Sequence, residues 1–365
     1  MLKTILFTAF SLMPLSAAKI PVYLGSGSEE GISLVYLDSA TGELSDLKNA
    51  VTTASPGSLV LSKNKNFLFS TGRVKGEKAG FVASFARQSD GSLKLVNKQS
   101  SMGAGPCHVS LDNDSQFLFV ANYSGGSIAS YKVDESGKIS PAVSYHQHEG
   151  SSVNPKRQTR AHAHSIYSSP DNQFVYAADL GTDKVMIYKL DQKSGKLTPS
   201  GEAKVPAGSG ARHMAFSAKG DQLYVLNELT ITVSKFTRDK ESGALKLETT
   251  KPVMADIGEN MSCSEIQLSA DGKFIYAACR DLDNKKRDVI SVLSVSDLSI
   301  IQEQPTGAWI PRHFGISPSG KWFLIAGMRD NKVVVHSRDP NTGKLSKTPH
   351  SVELEKPMWI LFPSF

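Results

Sequence analysis

A carboxylate closes the apolar run Leu223-Tyr224-Val225-Leu226-Asn227-Glu228, where a core strand would meet a loop. A charge at such a place needs a partner or a task, because burying it alone is costly. Basic residues stand at other strand ends: His108, His162, His164, Arg212, His213, Arg280, Arg312 and His313, with Glu265 among them. Gathered at one site, these side chains have the chemistry to take a proton from water, hold a developing oxyanion and protonate a leaving oxygen. The pairs His162/His164 and His146/His148 each put two imidazoles on one side of an extended segment, a possible metal grip. No Cys or carboxylate lies at ligand spacing, so neither a metal nor a cofactor is expected.

The elements that would gather them repeat along the chain. "SLVLSKNKNFLFSTG" from Ser58 is matched by stretches beginning at His108, His164, His213, Glu265 and His313. Each joins a short alternating strand, a polar turn and a strand rich in Phe, Tyr, Val and Leu, a hairpin pattern. The starts are 50, 56, 49, 52 and 48 residues apart. A period near 50 with β character predicts propeller blades of four strands. Outer strands carry a shared "Asp-x-x-(Ser/Thr)-Gly-x-Leu" turn, as at Asp191, Asp239 and Asp339. No convincing amphipathic helix offers an α/β alternative.

The ends fix the count at seven. "GISLVYLDSATGELS" from Gly31 reads as an outer strand pair, and "MWILFPSF" from Met358 as an inner strand. Together they complete a seventh blade and leave no open sheet edge. The expectation is a single all-β domain over 19–365. Before it, Lys3, the mostly apolar Thr4 to Leu15 and the small residues Ser16-Ala17-Ala18 predict a cleavable secretory signal over 1–18. That run is too short to span a bilayer. The formal charge of +6 is scattered, without the basic stripe of a nucleic-acid face, so the expected partner is a small and preferably anionic molecule. Cys263 and Cys279 flank a turn at Asp271-Gly272 and are expected as packed thiols across two strands.

In a propeller, loops entering the innermost strands and leaving the second strands meet around one end of the central channel. The charged positions above are those positions, whereas Ser58 and Met358 occupy the same place uncharged. For His108, His213 and His313 the plainer reading is a hydrogen bond to a neighbouring blade; the sharper one is substrate binding.

Several stretches resemble the seven-bladed lactonase family, which includes the propeller type of 6-phosphogluconolactonase and the fungal carboxymuconate lactonizing enzyme. They are Phe119 to Ser127 ("FVANYSGGS"), Arg157 to His164 ("RQTRAHAH"), Gly210-Ala211-Arg212-His213 and Val225-Leu226-Asn227-Glu228-Leu229. The resemblance covers nearly the whole expected mature chain. It implies metal-free work on lactone rings by one His, one Glu and two Arg, matched here to His164, Glu228, Arg212 and Arg280. His162, His108, His213, Arg312 and His313 are the accompanying substrate-binding candidates. Ala161, Ala163 and Ala211 stand where the family often has proline, Cys279 where Asn is usual, and Gly327-Met328 where Asn-Gln is common. These departures bear on pocket shape rather than on the scaffold. Lactone hydrolysis is the expected reaction, with Glu228 favoured over His164 as the base. Closure of a muconate-type diacid and non-catalytic binding are the competing readings.

Overall fold

The computed structural model describes residues 18–363. All strands belong to seven four-stranded antiparallel sheets, and no α-helix occurs among the described residues. Blade 1 starts at Leu59–Leu61, blade 2 at Pro106–Leu111, blade 3 at Ala163–Ser168 and blade 4 at Ala211–Phe216. Blade 5 starts at Met261–Leu268, blade 6 at Pro311–Ile316 and blade 7 at Pro357–Leu361. Each of these is the innermost strand of its sheet.

The seventh blade closes the ring, but not from an N-terminal outer pair alone. Its order is Pro357–Leu361, Lys19–Ser26, Ile32–Asp38, Lys48–Val51, so the N-terminal segment supplies three strands. "KIPVYLGS" is the second strand, mostly buried, beside the apolar leader whose own character obscures it in the sequence. Residues 1–17 of the expected signal lie outside the described residues. No described helix is long and apolar enough to cross a membrane.

The core lies between blades, where sheet faces pack in pairs. Phe174, Tyr176 and Ile187 of blade 3 meet Met214, Leu223, Val225 and Phe236 of blade 4. At the perimeter the repeated outer turn explains its own sequence. The Asp239 carboxylate accepts the amides of Glu241 and Ser242, and Gly243 follows at φ +75°, the region that favours glycine. A Cβ there would lie 2.4 Å from the Phe174 ring. A clasp crosses the same junction: Tyr176 Oη donates to Gly243 O at 2.7 Å and accepts Arg238 Nε at 2.8 Å. Tyr276 with Arg338 and Gly343, and Tyr23 with Arg87 and Gly91, repeat it. Cys263 and Cys279 are free thiols with sulfurs 3.4 Å apart, packed as expected.

Candidate functional site

The innermost strands share an irregularity that the sequence pattern does not reveal. Their pairing with the second strand slips between Pro106 and His108, Ala163 and Ser165, Ala211 and His213, and Pro311 and His313. Such bulges free one residue from the ladder and re-aim its side chain. The residues inside them are Cys107, His164, Arg212 and Arg312, and all four line one pocket of about 320 Å³. In blade 5 the slip between Cys263 and Ile266 is wider and holds Ser264 and Glu265. Tyr123, Arg157, His213, Glu228 and Trp359 complete most of the pocket wall, with Arg73 at its rim.

Glu228 is the hub. Its backbone amide donates to Gly210 O, and its carbonyl accepts Cys263 N, fixing it between two blades. Its Oε1 accepts Arg157 Nη2 at 2.7 Å, and its Oε2 accepts Arg212 Nε at 2.8 Å. Arg280 Nη2 lies 3.3 Å from Oε2 and His164 Nε2 lies 3.9 Å from it. Burial works to raise the Glu228 pKa, but Arg280, Arg212 and Arg157 outweigh it and hold the carboxyl well below its ordinary range. Burial, reinforced by Arg212, keeps the His164 imidazole neutral. Arg212 is further held by Ser264 O, and Arg280 by Cys263 O.

Arg157 was not among the sequence candidates. It sits in the long connection between blades 2 and 3, outside the repeat, and only its place in the "RQTRAHAH" stretch hinted at it. The loop is built to hold it. Asn154 Oδ1 accepts the amides of Lys156 and Arg157. Asp183 then ties the loop to the blade, accepting Ser152 Oγ at 2.5 Å and Gln158 Nε2 at 2.7 Å. The same carboxylate accepts the amides of Gly208 and Gly210, just before Arg212. One buried Asp thus sets two of the three cations on Glu228.

The other candidates separate into two levels. Arg312 and His213 line the pocket, whereas Arg280 stands behind Glu228 without lining it. His162 stacks on Tyr123 and bonds its carbonyl through Nδ1, supporting the wall from outside. His108 and His313 face a second cavity at the opposite channel end, with Tyr167 and Glu265. His108 bonds Ile166 N of the next blade and His313 bonds Ile360 N, the neighbour-blade contacts of the plainer reading. The remaining paired histidines are engaged elsewhere: His148 lies between Asp179 and Tyr188, and His146 bonds Leu197 O.

The Arg312 guanidinium has no hydrogen-bond or ion-pair partner among the described residues. Burial, with Arg212 and Arg280 nearby, pushes its pKa down to about 9. An anion would relieve that strain, since a guanidinium grips carboxylate or phosphate through paired donors. Burial raises the Cys107 thiol to about 11, so beside His164 it stays protonated.

Comparison with known proteins bears on this arrangement. The family described as lactonase, 7-bladed beta-propeller, matches residues 21–362. A 6-phosphogluconolactonase of Bacillus subtilis is 32% identical, covering 93% of this chain and 97% of its own. Another, from Formosa agariphila, is 31% identical over 91% of this chain and 96% of its own. The structure of a periplasmic gluconolactonase from Pseudomonas aeruginosa superposes with a TM-score of 0.86 at 30% identity, covering 94% of this chain and 99% of the other.

Proposed function

Because the chain belongs to the seven-bladed β-propeller lactonase family, we propose that it hydrolyses a sugar-derived lactone that carries an anionic group. The observation that carries this reading is Glu228 gripping Arg157 and Arg212 beside a neutral His164 on one pocket wall. The Bacillus and Formosa relatives support the substrate class by their names.

A carboxylate held by guanidinium groups is a poor base, since each cation favours its ionised form. His164 is therefore the better base, a revision of the sequence expectation. Its Nε2 takes a proton from the attacking water, and the imidazolium so formed is compensated by Glu228 at 3.9 Å. Arg212, fixed by Glu228 and Ser264, and the pocket-facing Arg157 stabilise the oxyanion. Arg312, with Arg73 at the rim, receives the substrate's phosphate or carboxylate. The Lys3-led apolar leader and the periplasmic gluconolactonase likeness support export.

The test compares 6-phosphogluconolactone with gluconolactone at slightly acidic pH, where background opening is slow. Wild type is expected to exceed the buffer rate on both and to favour the phosphorylated ring. Arg312→Gln should erase that preference, a change of roughly tenfold to a hundredfold in kcat/KM. Rates equal to buffer for wild type on both substrates would defeat the reading. Release of residues 1–18, read by N-terminal sequencing of protein from the cell envelope, checks export.

A further inference from the structure

Below the pocket floor, at the channel waist, lies a carboxyl group that the mechanism above does not use. Glu265 is buried, and its Oε2 faces two imidazoles from two other blades, His213 Nδ1 at 2.8 Å and His313 Nε2 at 3.4 Å. Its Oε1 accepts the amide of Ile266. The bond network assigns protons. Ile360 N donates to His313 Nδ1, so His313 carries its hydrogen on Nε2, the nitrogen on the Glu265 side. His213 Nε2, by contrast, is buried and has no partner, although the ring forms part of the pocket wall. An unbonded buried nitrogen at a ligand pocket is a place where an occupant supplies the missing bond. The His213 ring stands edge-on to His164, with centroids 5.3 Å apart.

We propose that His213, backed by Glu265, protonates the leaving ring oxygen, so that two imidazoles on one wall act in opposite senses. The proposal rests on the lactonase reading and adds the acid which that reading leaves unassigned. As the acyl carbon–ring oxygen bond breaks, His213 gives its Nε2 hydrogen to that oxygen. The Glu265 proton moves to His213 Nδ1, and the resulting carboxylate is held by His313 Nε2–H and Ile266 N–H. Water supplies the proton that His164 took, and that proton returns to solvent. As the Nδ1 proton passes back to Glu265, His213 Nε2 takes one proton from the pocket solvent, which restores the starting tautomer. Atoms and charge balance over one turnover.

The scheme needs a neutral Glu265, and its surroundings keep it so. Burial raises its pKa to about 8, opposed by Arg212, the Ile266 amide and Arg312. The other titratable groups around it, His108, His213, His313 and Tyr167, are themselves held neutral by burial. A neutral carboxyl donates to Nδ1 and leaves the hydrogen on Nε2, the nitrogen that has no protein partner. Once ionised, it accepts from Nδ1, and Nε2 loses its proton.

Two measurements test this. Nitrogen NMR of the histidines, in protein without substrate, should find His213 protonated on Nε2 near neutral pH and shifting tautomer as pH rises through about 8. A hydrogen on Nδ1 at neutral pH would overturn the proposal, whatever the substrate proves to be. Glu265→Gln keeps the hydrogen bond and the Nε2–H form, yet has no proton to pass on. Its kcat should drop on the order of 100-fold or more with KM nearly unchanged, and its rate should lack the fall expected of wild type above pH about 8. Wild-type turnover by Glu265→Gln would reduce Glu265 to a packing group and sink the relay. Should that variant not fold, His213→Gln gives the same reading of kcat. No lactone opening by wild type would instead count against the lactonase reading, with the tautomer still judging the dyad.

Discussion

The perimeter and the axis of this ring use repetition in opposite ways. At the perimeter the same backbone turn carries the same residues, Asp, Ser or Thr, and Gly, and the same Tyr–Arg clasp recurs at three junctions. At the axis a bulge recurs in the innermost strands, but the side chains it releases differ: Cys107, His164, Arg212, Arg312. Repeated residues hold blades together, and a repeated backbone with varied residues makes a pocket. The difference teaches where to look in such a chain: at the positions whose geometry is periodic and whose chemistry is not.

The strongest way to break the axis is Glu228→Gln. It leaves Arg157, Arg212 and Arg280 without their shared counter-charge, and removing one partner of a buried ion pair costs about 3–5 kcal/mol. Lactone turnover should fall at least 100-fold, and the melting temperature should drop with it; unchanged turnover would remove Glu228 from the site. Next comes Asp183→Ala, outside the pocket but anchoring the Arg157 loop and the Gly208–Gly210 segment. We expect kcat to fall by roughly tenfold to a hundredfold, the cost of a small misplacement of positioned groups. The perimeter counterpart is Gly243→Ala, which meets the Phe174 ring and an unfavourable φ. Stability should decrease by about 1–3 kcal/mol, while kcat of the folded enzyme stays at the wild-type value. A matching loss of kcat would show that the two regions are coupled.

The last effect concerns pH and stability. Folded Glu265 keeps its proton up to about 8, whereas unfolded it ionises near its ordinary 4.5. Between those values the folded state binds more protons, so this group's contribution falls as pH rises. Wild type should therefore lose stability relative to Glu265→Gln between pH 5 and 8, in paired denaturant titrations.

The blades were legible because hairpins with alternating strands and Asp–Gly turns write themselves into any sequence. The hub was legible too, since Glu228 closes an apolar strand and stands out as a charge. Other parts were not. The strand Lys19–Ser26 merges with the apolar leader before it, and a bulge leaves no mark in a pattern of period two. Arg157 lies in a connection with no counterpart in other blades, so blade register points away from it. Glu265 occupied a recognised strand-start position, but nothing in the sequence tells that its carboxyl meets two imidazoles rather than a substrate.

The closing strand Pro357–Leu361 also carries Met358 and Trp359 into the pocket wall. The last of the ring's strands to be synthesised is thus both the buckle of the ring and a panel of the binding chamber. Until it docks beside Lys19–Ser26, the blades have an unpaired edge and the chamber has a missing side. Activity and a sealed β-architecture must then arrive together, after synthesis of the chain has passed residue 361.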